Sequence, residues 1–154
     1  MIKPTATPCI GICSASLGDD VCRGCSRFAY EVAAWNTYSE VQKVLVIKRL
    51  DALLIQIIES KFDIFDLARL ESTLLAQGIA FRAESKPPCW VYTLLKATRG
   101  REMDTEAWGF RPLAQFASHA LPQLYADIEE EFYLLSAAHY QRYVAPGIAS
   151  QQKI

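Results

Sequence analysis

Apolar residues recur with helical spacing through the middle of the chain. Between residues 41 and 59, Val41, Leu45, Ala52 and Ile55 trace one edge of a helix, and a second apolar row widens that stripe. Residues 37–40, Thr-Tyr-Ser-Glu, fit a capping box in which the threonine accepts from the backbone and the glutamate reaches back. The pattern therefore predicts a long helix from this box to Ser60.

A second helical pattern follows and then gives way to alternation. Asp63 or Asp66 can cap this helix, and Gly78 is the glycine expected just after its end. Residues 79–83 alternate in polarity, residues 85–88 form a turn signal with two prolines, and the apolar run 89–95 resembles a strand. These features predict a helix plus a two-stranded hairpin.

Helical patterning returns after residue 105. Pro122 suits the first turn of a last helix that reaches about Tyr143, and the Ala-Pro-Gly sequence at residues 145–147 is expected to end it. The predicted fold class is α+β, mainly helical: an N-terminal cysteine metal knuckle, a long helix, a helix plus two-stranded hairpin, and C-terminal helices. Residues 1–60 are predicted to form a cysteine-rich metal-binding module with its following helix, and residues 61–154 a small α+β/helical domain of unknown role.

Composition supports a folded core and does not favour a nucleic-acid or membrane binder. Hydrophobic residues make up 51% of the 154 residues and aromatics 11%, and the net charge is −1 with no block of like charge. The apolar stretch 44–58 is interrupted by Lys48, Arg49 and Asp51, so it is not expected to span a bilayer. The first residues lack the apolar region of a secretory signal, so a cytoplasmic location is expected. The slightly positive mean hydropathy suggests a buried interface with another protein or in a homodimer.

Four cysteines near the N-terminus carry the candidate chemistry. Cys9, Cys13, Cys22 and Cys25 form the pattern C-x3-C-x8-C-x2-C. Four thiolates that converge suit zinc or an iron–sulphur cluster, and Arg23 and Arg27 beside the second pair could offset the negative charge. The alternatives are two disulfides, which are typical of secreted domains, or a redox C-x-x-C pair, which leaves Cys9 and Cys13 unexplained.

The same residues resemble a known family. Residues 8–13 (Pro-Cys-Ile-Gly-Ile-Cys), 20–25 (Asp-Val-Cys-Arg-Gly-Cys) and 31–35 (Glu-Val-Ala-Ala-Trp) resemble the domain-of-unknown-function family 1289 over about residues 7–55. Its members are small bacterial proteins described as predicted iron–sulphur proteins. The resemblance implies that the four cysteines are metal ligands, that the cofactor is an iron–sulphur cluster, and that Trp35 opens the following helix. Ser26 departs from the pattern, because a glycine is expected after the last cysteine.

Three functions are compatible with these features. The first is a tetracysteine metal-binding (iron–sulphur or zinc) accessory or interaction protein without an evident catalytic site, since four cysteines fill every position of a zinc ion. The second is an iron–sulphur redox, electron-transfer or sensor protein. The third is a zinc-ribbon-like RNA-binding protein, and its candidate contacts are Arg23, Arg27, Phe28, Lys48 and Arg49.

Other reactive residues fit ordinary structural roles better. Cys89 is expected to be a buried strand residue, and His119 and His139 lack the spacing of metal-binding pairs with a nearby glutamate. A further possibility is an anionic ligand or RNA held near Trp108 by a group of loop arginines, namely Arg99, Arg101 and Arg111. The sequence shows no phosphate-cradling glycine loop or nucleophile elbow, so a non-enzymatic role is favoured.

Overall fold

The computed structural model describes the backbone of residues 4–151 and the side chains of residues 4–148. Helices dominate this part of the chain, and a two-stranded antiparallel sheet completes it, so the mainly helical α+β class is confirmed. The helices are α1 (Ala29–Ala34), α2 (Glu40–Glu59), α3 (Leu67–Ala76), α4 (Pro87–Ala97), α5 (Leu121–His139) and α6 (Ala145–Gln151). The strands are β1 (Phe62–Ile64) and β2 (Phe110–Pro112), and short 3-10 turns cover Ser14–Leu17, Trp35–Thr37, Thr105–Trp108 and Ala114–Phe116.

The described residues divide into two compact units. The first unit joins the residues up to Leu53 with those from Glu131 onward, and the second unit is Leu54–Glu130. The predicted division into a metal-binding module, residues 1–60, and a small domain, residues 61–154, stays a prediction. Within residues 4–151, none of the helices has the length and apolarity needed to cross a bilayer.

The sheet of the second unit is not the hairpin that the sequence predicted. β1 pairs with β2 in antiparallel register, with Phe62 opposite Pro112 and Ile64 opposite Phe110. The rings of Phe62 and Phe110 meet edge to face at 5.5 Å, and both are buried. Aromatic burial therefore anchors two strands that lie far apart in the sequence.

The predicted strand at residues 89–95 is wrong, because these residues form helix α4. Pro87 and Pro88 occupy its first turn, where a missing N–H costs no intrahelical hydrogen bond. Apolar side chains on most sides of α4 are buried, so its sequence lacks the polar stripe that marks a surface helix. The preceding predicted strand is also wrong: residues 79–83 lie in a loop, where Phe81 packs on Trp90 with ring centroids 5.0 Å apart.

The predicted ends of the helices are partly confirmed. Asp66 caps α3 by accepting the N–H of Arg69 at 3.0 Å, and Gly78 follows with a left-handed φ of 66°. The capping box of α2 lies two residues later than predicted. Ser39 Oγ accepts the N–H of Gln42 at 3.3 Å, and Gln42 Oε1 accepts the N–H of Ser39 at 2.8 Å.

The C-terminal helix starts as predicted and continues further than predicted. Pro122 lies in the first turn of α5. The expected end at residues 145–147 is wrong, because a π-helical turn, Tyr140–Val144, leads directly into α6. Pro146 is the second residue of α6 and lies directly after the π-helical turn.

Candidate metal centre

The second cysteine pair lies on a tight buried turn, residues 21–28, which we call the second-pair turn. An isolated antiparallel bridge joins Val21 to Phe28, and the Cys22 N–H donates to the Arg27 carbonyl at 2.9 Å. Cys22 is 1% exposed and Cys25 is 4% exposed. The backbone therefore closes on itself here and holds both thiols in the interior of the first unit.

Ser26 completes this turn in an unusual backbone conformation. Its φ is +62°, in the left-handed region that glycine adopts without steric cost, and its N–H donates to the Cys22 carbonyl at 2.8 Å. This is the position where the family resemblance leads one to expect glycine. The turn thus keeps the glycine-like conformation even though the residue is serine.

A buried ion pair holds the second-pair turn against helices α1 and α2. Both oxygens of the buried Glu31 carboxylate accept from Arg49, at 2.6 and 2.7 Å, and Glu31 Oε1 also accepts the Phe28 N–H at 2.8 Å. The Arg49 guanidinium lies 4.0 Å from the centre of the Phe28 ring. Phe28 in turn packs edge to face on Tyr140 at 5.4 Å. The bidentate Glu31–Arg49 ion pair and the packing of Phe28 therefore fix one end of the turn.

The first cysteine pair lies on a more open segment, residues 9–13, which we call the first-pair loop. Cys9 is exposed and Cys13 is half-buried. The loop meets the second-pair turn at Gly24, where an added Cβ would collide with the Ile12 carbonyl oxygen. The missing side chain at position 24 therefore lets the two cysteine segments touch.

The Cys22 thiol lies where the first-pair loop meets the second-pair turn, and its S–H donates to the Ile12 carbonyl at 3.8 Å. Backbone amides of Ser14, Ala15, Gly24 and Cys25 also act on this sulphur. Burial alone would raise the pKa of this thiol, but the hydrogen bonds outweigh it and lower the pKa from the ordinary 9.0 to about 6. Ser14 directly follows Cys13, so the backbone next to the first pair contributes to stabilising a thiolate in the second pair.

Cys25 has a different environment. Burial raises the pKa of its thiol, and the neighbouring Arg27, whose Nε donates to Cys25 Sγ at 3.2 Å, lowers it only in part. The two thiols of the C-x-x-C pair are therefore not equivalent. Several backbone amides favour the anionic form of Cys22, whereas Cys25 depends on the side chain and backbone of one residue, Arg27.

The structure does not gather the four predicted ligands around one point. In the part of the chain that it describes, it holds no group of three or more His, Cys, Asp or Glu side chains placed to bind a metal ion. None of the five cysteines, all of which lie in the described part of the chain, forms a disulfide. The assignment of Cys9, Cys13, Cys22 and Cys25 as ligands is therefore still a prediction.

The other candidate residues lie elsewhere. Cys89 is buried as expected but on helix α4, and His119 packs on the Phe116 ring at 5.4 Å. Arg111 pairs with Asp63 across the sheet at 3.3 Å. Of the residues proposed for RNA contact, Arg27 and Phe28 are buried and Arg49 is engaged by Glu31, so these side chains do not form one exposed surface.

The Glu31–Arg49 ion pair that anchors the second-pair turn was not predicted from the sequence. Glu31 lies three residues after Phe28, at the position where an acidic side chain can reach back to a helix start, and this signal could have identified it. Its pairing with Arg49, eighteen residues later, had no comparable signal. The amide donors on Cys22 belong to the backbone, which residue types do not reveal.

Comparison with known protein families places part of this chain in the context of one of them. Residues 7–54, about a third of the chain, match the family model described as Protein of unknown function (DUF1289). The matched segment contains both cysteine pairs, α1 and most of α2, and it confirms the predicted partial resemblance. No curated protein matches this chain, and no solved structure matches it.

Proposed function

We propose that this protein is a tetracysteine metal protein in which Cys9, Cys13, Cys22 and Cys25 hold an iron–sulphur cluster or a zinc ion. It would serve as an accessory or interaction protein, without a catalytic centre of its own. One observation carries the proposal: the two cysteine segments meet at Gly24 beside the buried thiols of Cys22 and Cys25, where backbone amides lower the pKa of Cys22. A thiolate, not a thiol, is the species that binds metals.

A structural cysteine and a disulfide account for this environment less well. A structural buried cysteine behaves as a small apolar side chain and does not need a lowered pKa. A disulfide sulphur carries no charge that four N–H groups would stabilise. A metal-bound thiolate keeps much of its negative charge, so hydrogen bonds to the sulphur favour this form.

The two segments would contribute unequally to the centre. Cys22 and Cys25 are held in the buried turn, whereas Cys9 and Cys13 lie on the loop that touches it at Gly24. Binding free energy can order a segment that the protein alone leaves open, as in other small metal-dependent modules. A bound cluster would supply one-electron transfer, whereas zinc would supply only a cross-link.

A redox role is the second candidate, and the Arg27 contact favours it. A guanidinium hydrogen bond to a ligand sulphur stabilises added negative charge and so tunes the potential of a cluster. In this version the protein transfers or senses electrons. The same four cysteines would be the ligands.

Exposed apolar side chains on the first unit support the interaction role. Large apolar side chains are exposed on α2 at Val41 and Leu45 and near the cysteines at Ile12 and Leu17. Such residues are common at protein interfaces. The proposed partner is another protein or a second copy of this chain, and sedimentation of the wild type beside Leu45→Glu would detect self-association.

The deciding experiment is anaerobic purification followed by a visible spectrum and elemental analysis. Brown protein with iron and sulphide supports the redox role, and colourless protein with zinc supports the structural role. Cys22→Ser is expected to release the metal, whereas the matched control Cys89→Ser, at a buried cysteine outside the motif, is expected to keep it. Full metal content in Cys22→Ser would show that this ligand assignment is wrong.

A further inference from the structure

Two arginines flank the second cysteine pair in the sequence, and the structure separates their roles. The Arg23 side chain is 66% exposed, pairs with Asp19 at 3.8 Å and stacks on Tyr133 at 4.2 Å. Arg27 is 2% exposed, and its Nε donates to Cys25 Sγ at 3.2 Å. Of these two cations, Arg27 is the one that faces a sulphur.

The charge of Arg27 lacks the usual partner. Among the residues that the structure describes, no carboxylate forms an ion pair with it. Its guanidinium lies 4.8 Å from the centre of the buried Trp35 ring, and Lys43 Nζ lies 5.8 Å from the same ring. A ring face offsets only part of the cost of burying a full positive charge, so a nearby anion is expected.

We infer that Arg27 is the buried counter-charge of the sulphur centre and a positioning residue for Cys25. Trp35 holds the guanidinium from one side, and the Cys25 sulphur accepts its N–H. Four thiolates around a divalent ion leave a net negative charge, which a fixed cation in the interior stabilises. The inference rests on the proposed function, since it concerns the same sulphurs, and it adds a residue that no ligand assignment includes.

The test measures how fast metal is lost to a chelator from the anaerobically purified protein. Arg27→Gln removes the charge and is expected to lose metal about tenfold faster, the usual effect of removing a partner of a metal ligand. Arg23→Gln is the matched control, because it removes an equal charge from the same turn without touching a sulphur. It is expected to behave like the wild type. If the metal is an iron–sulphur cluster, Arg27→Gln should also lower its midpoint potential.

Arg27→Lys separates the charge from the shape of the side chain. Lysine keeps the positive charge, so its rate of metal loss should lie closer to the wild type than to Arg27→Gln. If Arg27→Gln does not fold, the rate of metal loss from Arg27→Lys is the deciding measurement. A rate near that of the wild type supports the inference, and a rate about tenfold faster overturns it. Equal rates in folded Arg27→Gln and wild type would overturn the inference and leave the proposed function intact. Wild-type protein that carries no metal would overturn both proposals.

Discussion

The second-pair turn and the first-pair loop contain two cysteines each, but the structural surroundings of the two pairs differ. The turn is buried, closed by a backbone bridge and tied to α1 and α2 through Glu31 and Arg49. The loop exposes Cys9 and meets the turn where Gly24 has no side chain. One half of the motif is thus buried and held by the fold, whereas the other half is more exposed.

In the proposed metal centre, the buried pair would be the half of the site that is already formed. A preformed half lowers the ordering cost of binding, because only the remaining half must be fixed when the metal arrives. The comparison can be tested by loosening the turn, by separating the loop from it, and by relieving strain within it.

The largest expected effect comes from removing the anchor of the turn. Glu31→Ala leaves Arg49 without its carboxylate and the Phe28 N–H without its acceptor. Breaking a buried ion pair by removing one partner lowers the free energy of unfolding by about 3–5 kcal/mol. Chemical denaturation of the metal-free protein measures this change.

An exposed ion pair in the same unit provides the control. Asp19→Ala removes the partner of Arg23, whose side chain is mostly in solvent. Its expected cost is below about 1 kcal/mol, as for other surface pairs. Equal losses from Glu31→Ala and Asp19→Ala would mean that burial of the Glu31–Arg49 pair does not anchor the turn.

The next effect comes from forcing the loop and the turn apart. In Gly24→Ala the new methyl group would collide with the Ile12 carbonyl oxygen, a backbone atom that can move only with the loop. Overpacking of this kind costs about 1–3 kcal/mol. Differential scanning calorimetry would measure the lower melting temperature. Gly147→Ala is the control, since Gly147 also has no left-handed φ and an added methyl group there would have no atom within 4 Å. A melting temperature of Gly24→Ala as high as that of Gly147→Ala would argue against the contact.

A smaller effect of opposite sign is expected from relieving strain in the turn. Ser26→Gly keeps the left-handed conformation without a Cβ and should raise the free energy of unfolding by about 1 kcal/mol. Ser26→Ala keeps the Cβ and should give no such gain. Urea titrations of the two variants and the wild type measure both changes, and a destabilised Ser26→Gly would refute this account.

The smallest effect concerns the residues that lead into the first-pair loop. Hydrogen bonds from Thr5, whose N–H lies 2.7 Å from Glu40 Oε2, hold the pKa of Glu40 below the ordinary 4.5. Because the folded-state pKa is lowered, this contact is present at neutral pH and is lost as the pH falls through that lowered value. The Thr5 amide signal in NMR spectra should follow this titration. It should not titrate in Glu40→Gln, and a midpoint above 4.5 would contradict the contact.

The sequence predicted those helices whose patterns alternate between buried and exposed faces. α2 and α3 present such stripes, and Asp66 and Gly78 mark the ends of α3. The sequence of α4 predicts a strand because residues 88–95 are apolar nearly all round, although the two prolines at its start fit the first turn of a helix. The β1–β2 pairing has three residues on each side and joins distant segments, so no local pattern could reveal it.

The sequence predicted the residue types of the candidate site but not the difference in burial between its two cysteine pairs. The cysteine spacing located Cys9, Cys13, Cys22 and Cys25 as a set, and the adjacent arginines suggested charge compensation. Spacing cannot tell which thiol is buried, because burial of the second pair depends on the packing of Phe28 on Tyr140, from the far end of the chain. For the same reason Arg23 and Arg27 looked alike in the sequence.

The Glu31–Arg49 pair also sets how short a transplantable fragment can be. A peptide that ends after Trp35 would contain all four cysteines but would leave the Glu31 carboxylate without its cation. The segment that matches the family model ends at residue 54, beyond Arg49. Grafting the cysteine motif onto another scaffold therefore requires α2 as far as Arg49 as well, even though that helix contributes no sulphur.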